Sequence, residues 1–192
     1  MIIDMHMHEM RYSGDSFLRL ENMVEIAKRR GLDGICITDH DSMGLKEFAA
    51  EYSEKTEFPI FVGIEFYSLQ GDIVAFGIED YPKERIPAQE FVDLVQAQGG
   101  MCFSAHPFRN NNRGLEENLK IVKGLDGIEV LNGSTLYEAN RKAAEYAAEL
   151  GLATVGSSDC HVPEKLGIYA TYFPREIRSV QELIRSVKRC ET

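Results

Sequence analysis

Gly34-Ile35-Cys36-Ile37-Thr38-Asp39-His40 is a short apolar run that ends on a side chain able to bind a cation, His40. Its neighbours set its meaning. Residues 16–30 place Phe17, Leu20, Val24 and Ala27 at helical spacing with charges between them, and Gly31 suits the end of that helix. A second helix is expected over residues 44–56, and the apolar run 58–64 reads as another strand. The same alternation extends both ways. Strands are expected at 1–6, 72–78, 101–105, 126–131, 152–156 and 169–173, and helices from Pro87 to Gly99, at 115–123, 136–150 and 180–189. Strands alternating with helices define an α/β protein with a mostly parallel sheet. About seven such units in one domain, residues 1–192, suggest a barrel or near-barrel, with an open doubly wound sheet as the alternative. No glycine-rich loop follows the first strand, so a dinucleotide-binding fold has no support.

Composition narrows the function classes. The chain has 21 basic and 31 acidic residues, a net charge of −10. That excess argues against a nonspecific nucleic-acid grip and against an anionic membrane surface, both of which need Lys and Arg. No apolar run is long enough to span a bilayer, and the start lacks the features of a signal peptide, so a cytoplasmic location is expected. Four scattered cysteines without a CxxC pair read as free thiols. Cys160, between Asp159 and His161, is expected to point away from them, because alternate residues on a strand face opposite sides.

All five histidines, His6, His8, His40, His106 and His161, fall at or just past the end of an apolar run. In a parallel barrel those ends gather on one face, where active sites lie. His6-x-His8 and Asp159-x-His161 have ligand-x-ligand form, which on a strand aims both side chains the same way, roughly 6.5 Å apart. Glu65 ends its strand similarly, and Asp15 lies in the loop after the first strand. One such histidine alone would read as structural, and an Asp after a strand as a cap. The whole set reads as a metal site. Imidazoles mixed with carboxylates suit Zn²⁺, Mn²⁺ or Fe²⁺ better than Ca²⁺ or Mg²⁺.

In this order, His6-Met7-His8, Thr38-Asp39-His40-Asp41, Gly63-Ile64-Glu65, Ala105-His106-Pro107 and Ser158-Asp159-Cys160-His161 resemble the motifs of the polymerase-and-histidinol-phosphatase (PHP) family. The resemblance implies a distorted (β/α)7 barrel with its site at the C-terminal strand ends. It also implies two or three divalent ions: one on His6, His8, Glu65 and Asp159, a second on Asp15, His40 and His161, and a third on Glu65 and His106. Some relatives give the third site another histidine, and this chain has none left.

The implied activity is phosphate-ester hydrolysis by metal-activated hydroxide, with Asp159, His161 and Glu65 at the reacting centre and a small phosphorylated metabolite as substrate. Arg109 and Arg113, in the loop after His106, are suited to grip phosphate oxygens. Arg11 is a further candidate, and Asn132, at a strand end, could line the site. Asp4 and Asp41 either orient imidazoles or serve as turn residues. The alternatives are an amidohydrolase, which also uses His-x-His on a barrel, a nuclease, and a metal-stabilised module without activity.

Overall fold

The computed structural model describes residues 1–192. In chain order the elements are β1 (Ile2–Asp4), α1 (Leu20–Arg29), β2 (Gly34–Ile37), α2 (Lys46–Thr56), β3 (Ile60–Val62), β4 (Ile64–Tyr67) and β5 (Asp72–Phe76). They continue with α3 (Ala88–Ala97), β6 (Met101–Ser104), a 3-10 turn (Glu116–Lys120), β7 (Gly127–Asn132), α4 (Tyr137–Leu150), β8 (Ala153–Ser157), β9 (Thr171–Tyr172) and α5 (Val180–Lys188). The alternation expected from sequence is therefore present. Two ends differ. Phe17 is 75% exposed and precedes α1, whose buried face is Leu20, Met23, Val24 and Ala27. The helix expected over 115–123 is only the 3-10 turn, entered through a left-handed Glu116 (φ 49°).

The strands do not close into the expected (β/α)7 barrel. They form a four-stranded sheet, order β3-β2-β1-β9, and a five-stranded sheet, order β4-β5-β6-β7-β8. β1, β2 and β3 run parallel, as do β6, β7 and β8. β5 is antiparallel to both β4 and β6. The cause is local: only Ser68–Gly71 separates β4 from β5, far too few residues for a parallel crossover. Gly63 divides the expected strand 58–64 and passes the chain from one sheet to the other. A Cβ there would lie 2.4 Å from the Ala75 carbonyl oxygen.

Isolated bridges join the sheets just past their strands, Met7 with Cys160 and His40 with Glu65. The residues beyond the strand ends thus face one another across both junctions. Below them the interior is apolar. α5, with Ser179 capping it by accepting from the Glu182 amide, buries Leu183, Ile184 and Val187 among Phe76, Phe103 and Phe173. No helix is long and apolar enough to cross a membrane.

Candidate metal centre

Past β1, Met7 turns into the apolar core while His6 and His8 turn together to the other side, their Nε2 atoms 3.1 Å apart. Glu65 and Asp159 meet them. His6 Nε2 lies 3.3 Å from Glu65 Oε1 and 3.7 Å from Asp159 Oδ1, and His8 Nε2 lies 3.2 Å from Asp159 Oδ1. All four residues are buried. Beside them, His40 Nε2 and His161 Nε2 are 3.4 Å apart, and 3.3 and 3.4 Å from Asp15 Oδ2. A third group joins His106 Nε2 to Glu65 Oε1 at 2.9 Å and to Asp72 Oδ2 at 3.7 Å. Every residue read from sequence as a ligand is thus in one of three adjoining groups. Cys160 faces the core, as its alternation requires.

Whether these donors suit a cation is decided by the backs of the rings. His6 Nδ1 is 3.1 Å from Glu129 Oε1, His8 Nδ1 is 3.2 Å from Ser13 Oγ, and His161 Nδ1 is 3.2 Å from the Asp159 carbonyl oxygen. An oxygen acceptor on Nδ1 keeps the proton there and leaves the Nε2 lone pair bare, the arrangement found behind metal-ligating imidazoles. Ser13 is held in turn by Asp39, to which it donates at 2.7 Å. His40 Nδ1 lies 2.7 Å from Glu65 Oε2 but off the line of a hydrogen bond, and neither buried atom has another partner. Bare nitrogens and an unpartnered carboxylate oxygen sharing one small space fit divalent cations.

The charges agree. Burial opposes protonation of His6, yet Asp159, Glu129 and Glu65 outweigh it and hold its pKa well above the usual value. His8, desolvated next to His6, falls to about 4. Burial also opposes a charged His40, but Glu65 and Asp15 raise it to about 9. Burial pushes the Glu65 and Asp159 carboxyls up, and the neighbouring histidines, His6 first, drive both well below the ordinary range. Backbone strain marks the same rim: Asp159 and His106 hold φ of 49° and 26°, a region that costs side-chain-bearing residues on the order of 1–3 kcal/mol.

Asp72 and Glu129 also belong to the site, and the ends of apolar runs do not point to either. Asp72 begins β5, and because β5 runs antiparallel its first residue reaches the rim where its parallel neighbours end. Glu129, fully buried within β7, accepts from the His106 amide at 2.6 Å and from Asn132 Nδ2 at 2.9 Å, and also from Ser157 Oγ. A carboxylate inside an otherwise apolar strand was its only signal.

Asp4 and Asp41 do not orient imidazoles. Asp4 accepts from the amides of Ser158 and Gly167 at 2.9 and 3.0 Å and ties β1 to the segment after β8, and its burial lifts its pKa to about 7. Asp41 accepts from the Tyr67 amide. Arg11 packs over the Phe48 ring near Glu9 and Glu21, outside the site.

Arg109 donates from Nη2 to Asp159 Oδ2 and to Asn132 Oδ1, and from Nε to Thr135 Oγ1 at 3.0 Å. Asn132 also donates to Asp159 Oδ2 at 3.1 Å. Arg113 is held by Asp72. A cavity of about 130 Å³ opens between these arginines and the ligand groups, with Asn111 at its edge and no apolar side chain in its wall. Larger hollows of about 460 and 550 Å³ lie elsewhere, around Ile60, Phe61 and Arg178, away from every histidine.

Fold and site together define an α/β protein with a buried carboxylate–imidazole centre at one sheet rim. The profile of the family described as PHP-associated matches residues 137–192. That match supports the resemblance to PHP-domain proteins read from the motifs. The chain is 27% identical over 140 residues to the uncharacterised protein MJ1587 of Methanocaldococcus jannaschii, covering 67% of this chain and 80% of the relative. Its fold is similar to that of a Bifidobacterium adolescentis protein that carries the assignment metal-dependent phosphoesterase, with a TM-score of 0.77, 20% identity, and 99% and 96% of the two chains covered. It is also similar to a lesion-specific endonuclease of Pyrococcus furiosus, with a TM-score of 0.72, 18% identity, and 98% of this chain but 56% of the endonuclease covered. Because that fold serves a nuclease, net acidity alone does not separate nucleic acid from small phosphates as partners.

Proposed function

We propose that this protein is a metal-dependent phosphoesterase acting on a small phosphate ester. The observation that carries the reading is that His6, His8 and His161 have their Nδ1 atoms engaged from behind while their Nε2 atoms converge on Glu65, Asp159 and Asp15, beside two arginines. His6, His8, Glu65 and Asp159 would hold one divalent ion, and Asp15, His40 and His161 a second, with Zn²⁺, Mn²⁺ or Fe²⁺ the ions this donor set suits. When bound, such ions lower the pKa of water and offset charge on phosphoryl oxygens.

The chain's own residues supply the rest. Arg109 is braced by Asp159, Asn132 and Thr135, and its Nη1 makes no protein hydrogen bond, which leaves it for a phosphate oxygen. Asn132 fixes both Arg109 and Asp159. Glu65, shared among the groups, couples their occupancy. The cavity, about 130 Å³, admits a phosphoryl group and leaves the remainder of the ester at its mouth, which favours a small ester.

The test is elemental analysis of protein purified without chelator, with a panel of phosphate monoesters and of single-stranded and duplex DNA. Bound metal with chelator-sensitive monoesterase activity, lost in His6→Ala and Glu65→Gln, is the expected result. Cleavage of DNA alone would replace the substrate class. Absence of bound metal would remove the reading.

A further inference from the structure

The third group of ligands differs from the other two, because a protein cation already occupies it. Arg113 Nε lies 2.6 Å from Asp72 Oδ2, and Arg113 Nη2 lies 2.9 Å from Asp72 Oδ1. Both oxygens of a fully buried carboxylate are thus taken by one guanidinium in the two-pronged geometry that makes such pairs strong and directional. The grip is fixed at three further points. The Asp72 amide donates to the Arg113 carbonyl at 2.7 Å. A Cβ on Gly71 would lie 2.6 Å from the carbonyl carbon of Gly114, so the two loops are in contact. The guanidinium also lies over the Tyr67 ring, 4.4 Å from its centroid.

The first two groups contain nothing of this kind. Their members face one another, the neighbouring Glu129 and His106, or hydroxyl and carbonyl groups, and the cation touching them, Arg109, approaches a single oxygen of Asp159. An ion bound through Asp72 would share its oxygens with a full positive charge that cannot be neutralised at any working pH. Asp72 is fully buried, so water and salt screen the repulsion at its oxygens less than they would at the surface.

We infer that Arg113 stands in for the third metal ion: the protein binds two ions, and the guanidinium supplies the third positive charge on the cavity wall. Arg113 Nη1 makes no protein hydrogen bond and the residue lines the cavity, so that charge is available to an anionic ligand. The inference rests on the metal-hydrolase reading of the same site and sharpens it to a dinuclear centre.

The experiment counts metal. Chelator-stripped protein is loaded with Mn²⁺, desalted and analysed for equivalents bound. Wild-type protein binds two, Arg113→Gln binds three, and the double variant Arg113→Gln, Asp72→Asn returns to two. Asp72→Asn alone keeps two, which gives the inference a second test if Arg113→Gln does not fold. Three equivalents on the wild type overturn the inference whatever the variants do. So does a folded Arg113→Gln protein that stays at two, or loss of an equivalent in Asp72→Asn. Those results leave the metal-hydrolase reading standing, whereas no bound Mn²⁺ in the wild type removes that reading and this inference together.

Discussion

Replacing Glu129 with Gln keeps its volume and removes one charge and one acceptor. Four donors converge on the carboxylate: His6 Nδ1 and Ser157 Oγ at Oε1, and the His106 amide and Asn132 Nδ2 at Oε2. A glutamine must put its NH2 group on one side. The His106 amide can only donate, so the new NH2 goes to the Oε1 position. Ser157 can rotate to accept from it. His6 can accept only by moving its proton from Nδ1 to Nε2, the nitrogen that faces His8, Glu65 and Asp159. The variant thus selects the tautomer that cannot ligate. Losing such a supporting contact weakens metal binding by roughly 10- to 100-fold, or roughly 1.4–2.8 kcal/mol at about 1.4 kcal/mol per tenfold. The assay is competition against a chromophoric chelator, with circular dichroism to confirm the fold. An affinity within about twofold of wild type in a folded Glu129→Gln protein would refute the role given to Glu129.

Metal affinity should rise with pH. Holding the His40 pKa at about 9 means that its proton must leave before its nitrogen can ligate. Each proton released strengthens apparent binding about tenfold per pH unit up to the pKa of the group that holds it, so a dissociation constant flat from pH 7 to 9 would contradict the assignment. Arg109→Ala should leave bound metal unchanged and raise KM for a phosphate ester by about tenfold or more, with Arg109→Lys failing to restore it because lysine cannot hold Asp159, Asn132 and a phosphate oxygen at once. Unchanged kinetics would remove Arg109 from substrate binding. Gly63→Ala drives a methyl group against the Ala75 carbonyl oxygen and should lower stability by about 1–3 kcal/mol, read as a fall in the denaturant midpoint. An unchanged midpoint would mean that the step between sheets is more adaptable than its contacts indicate.

The α/β alternation was legible because helix and strand periods differ and each apolar run is bounded by charge or glycine. α4, α5 and β2 lie close to their expected positions for this reason. Closure of the sheet was not legible in the same way. Whether adjacent strands run parallel depends on the length of chain between them, and the four residues after Tyr67 are the decisive stretch. They read as an ordinary loop, yet they reverse β5 against β4 and β6, while the break between the two sheets falls earlier, at Gly63 between β3 and β4.

That reversal explains which part of the site was missed. His6, His8, His40, Glu65, His106, Asp159 and His161 each stand at or just beyond the end of an apolar run, a pattern that marks the rim where strands run parallel. At an antiparallel strand the same rim receives the beginning of the run, and there the residue is Asp72, which carries Arg113 with it. Glu129 escaped for a different reason: its place within β7 is set by the His6 ring across the sheet junction, a contact that no local pattern records. A buried carboxylate within an apolar strand therefore deserves the question of which cationic or N–H group answers it. Here the answers are His6, for Glu129, and Arg113, for Asp72. The first pairing prepares a nitrogen to take an ion, and the second takes the place of one.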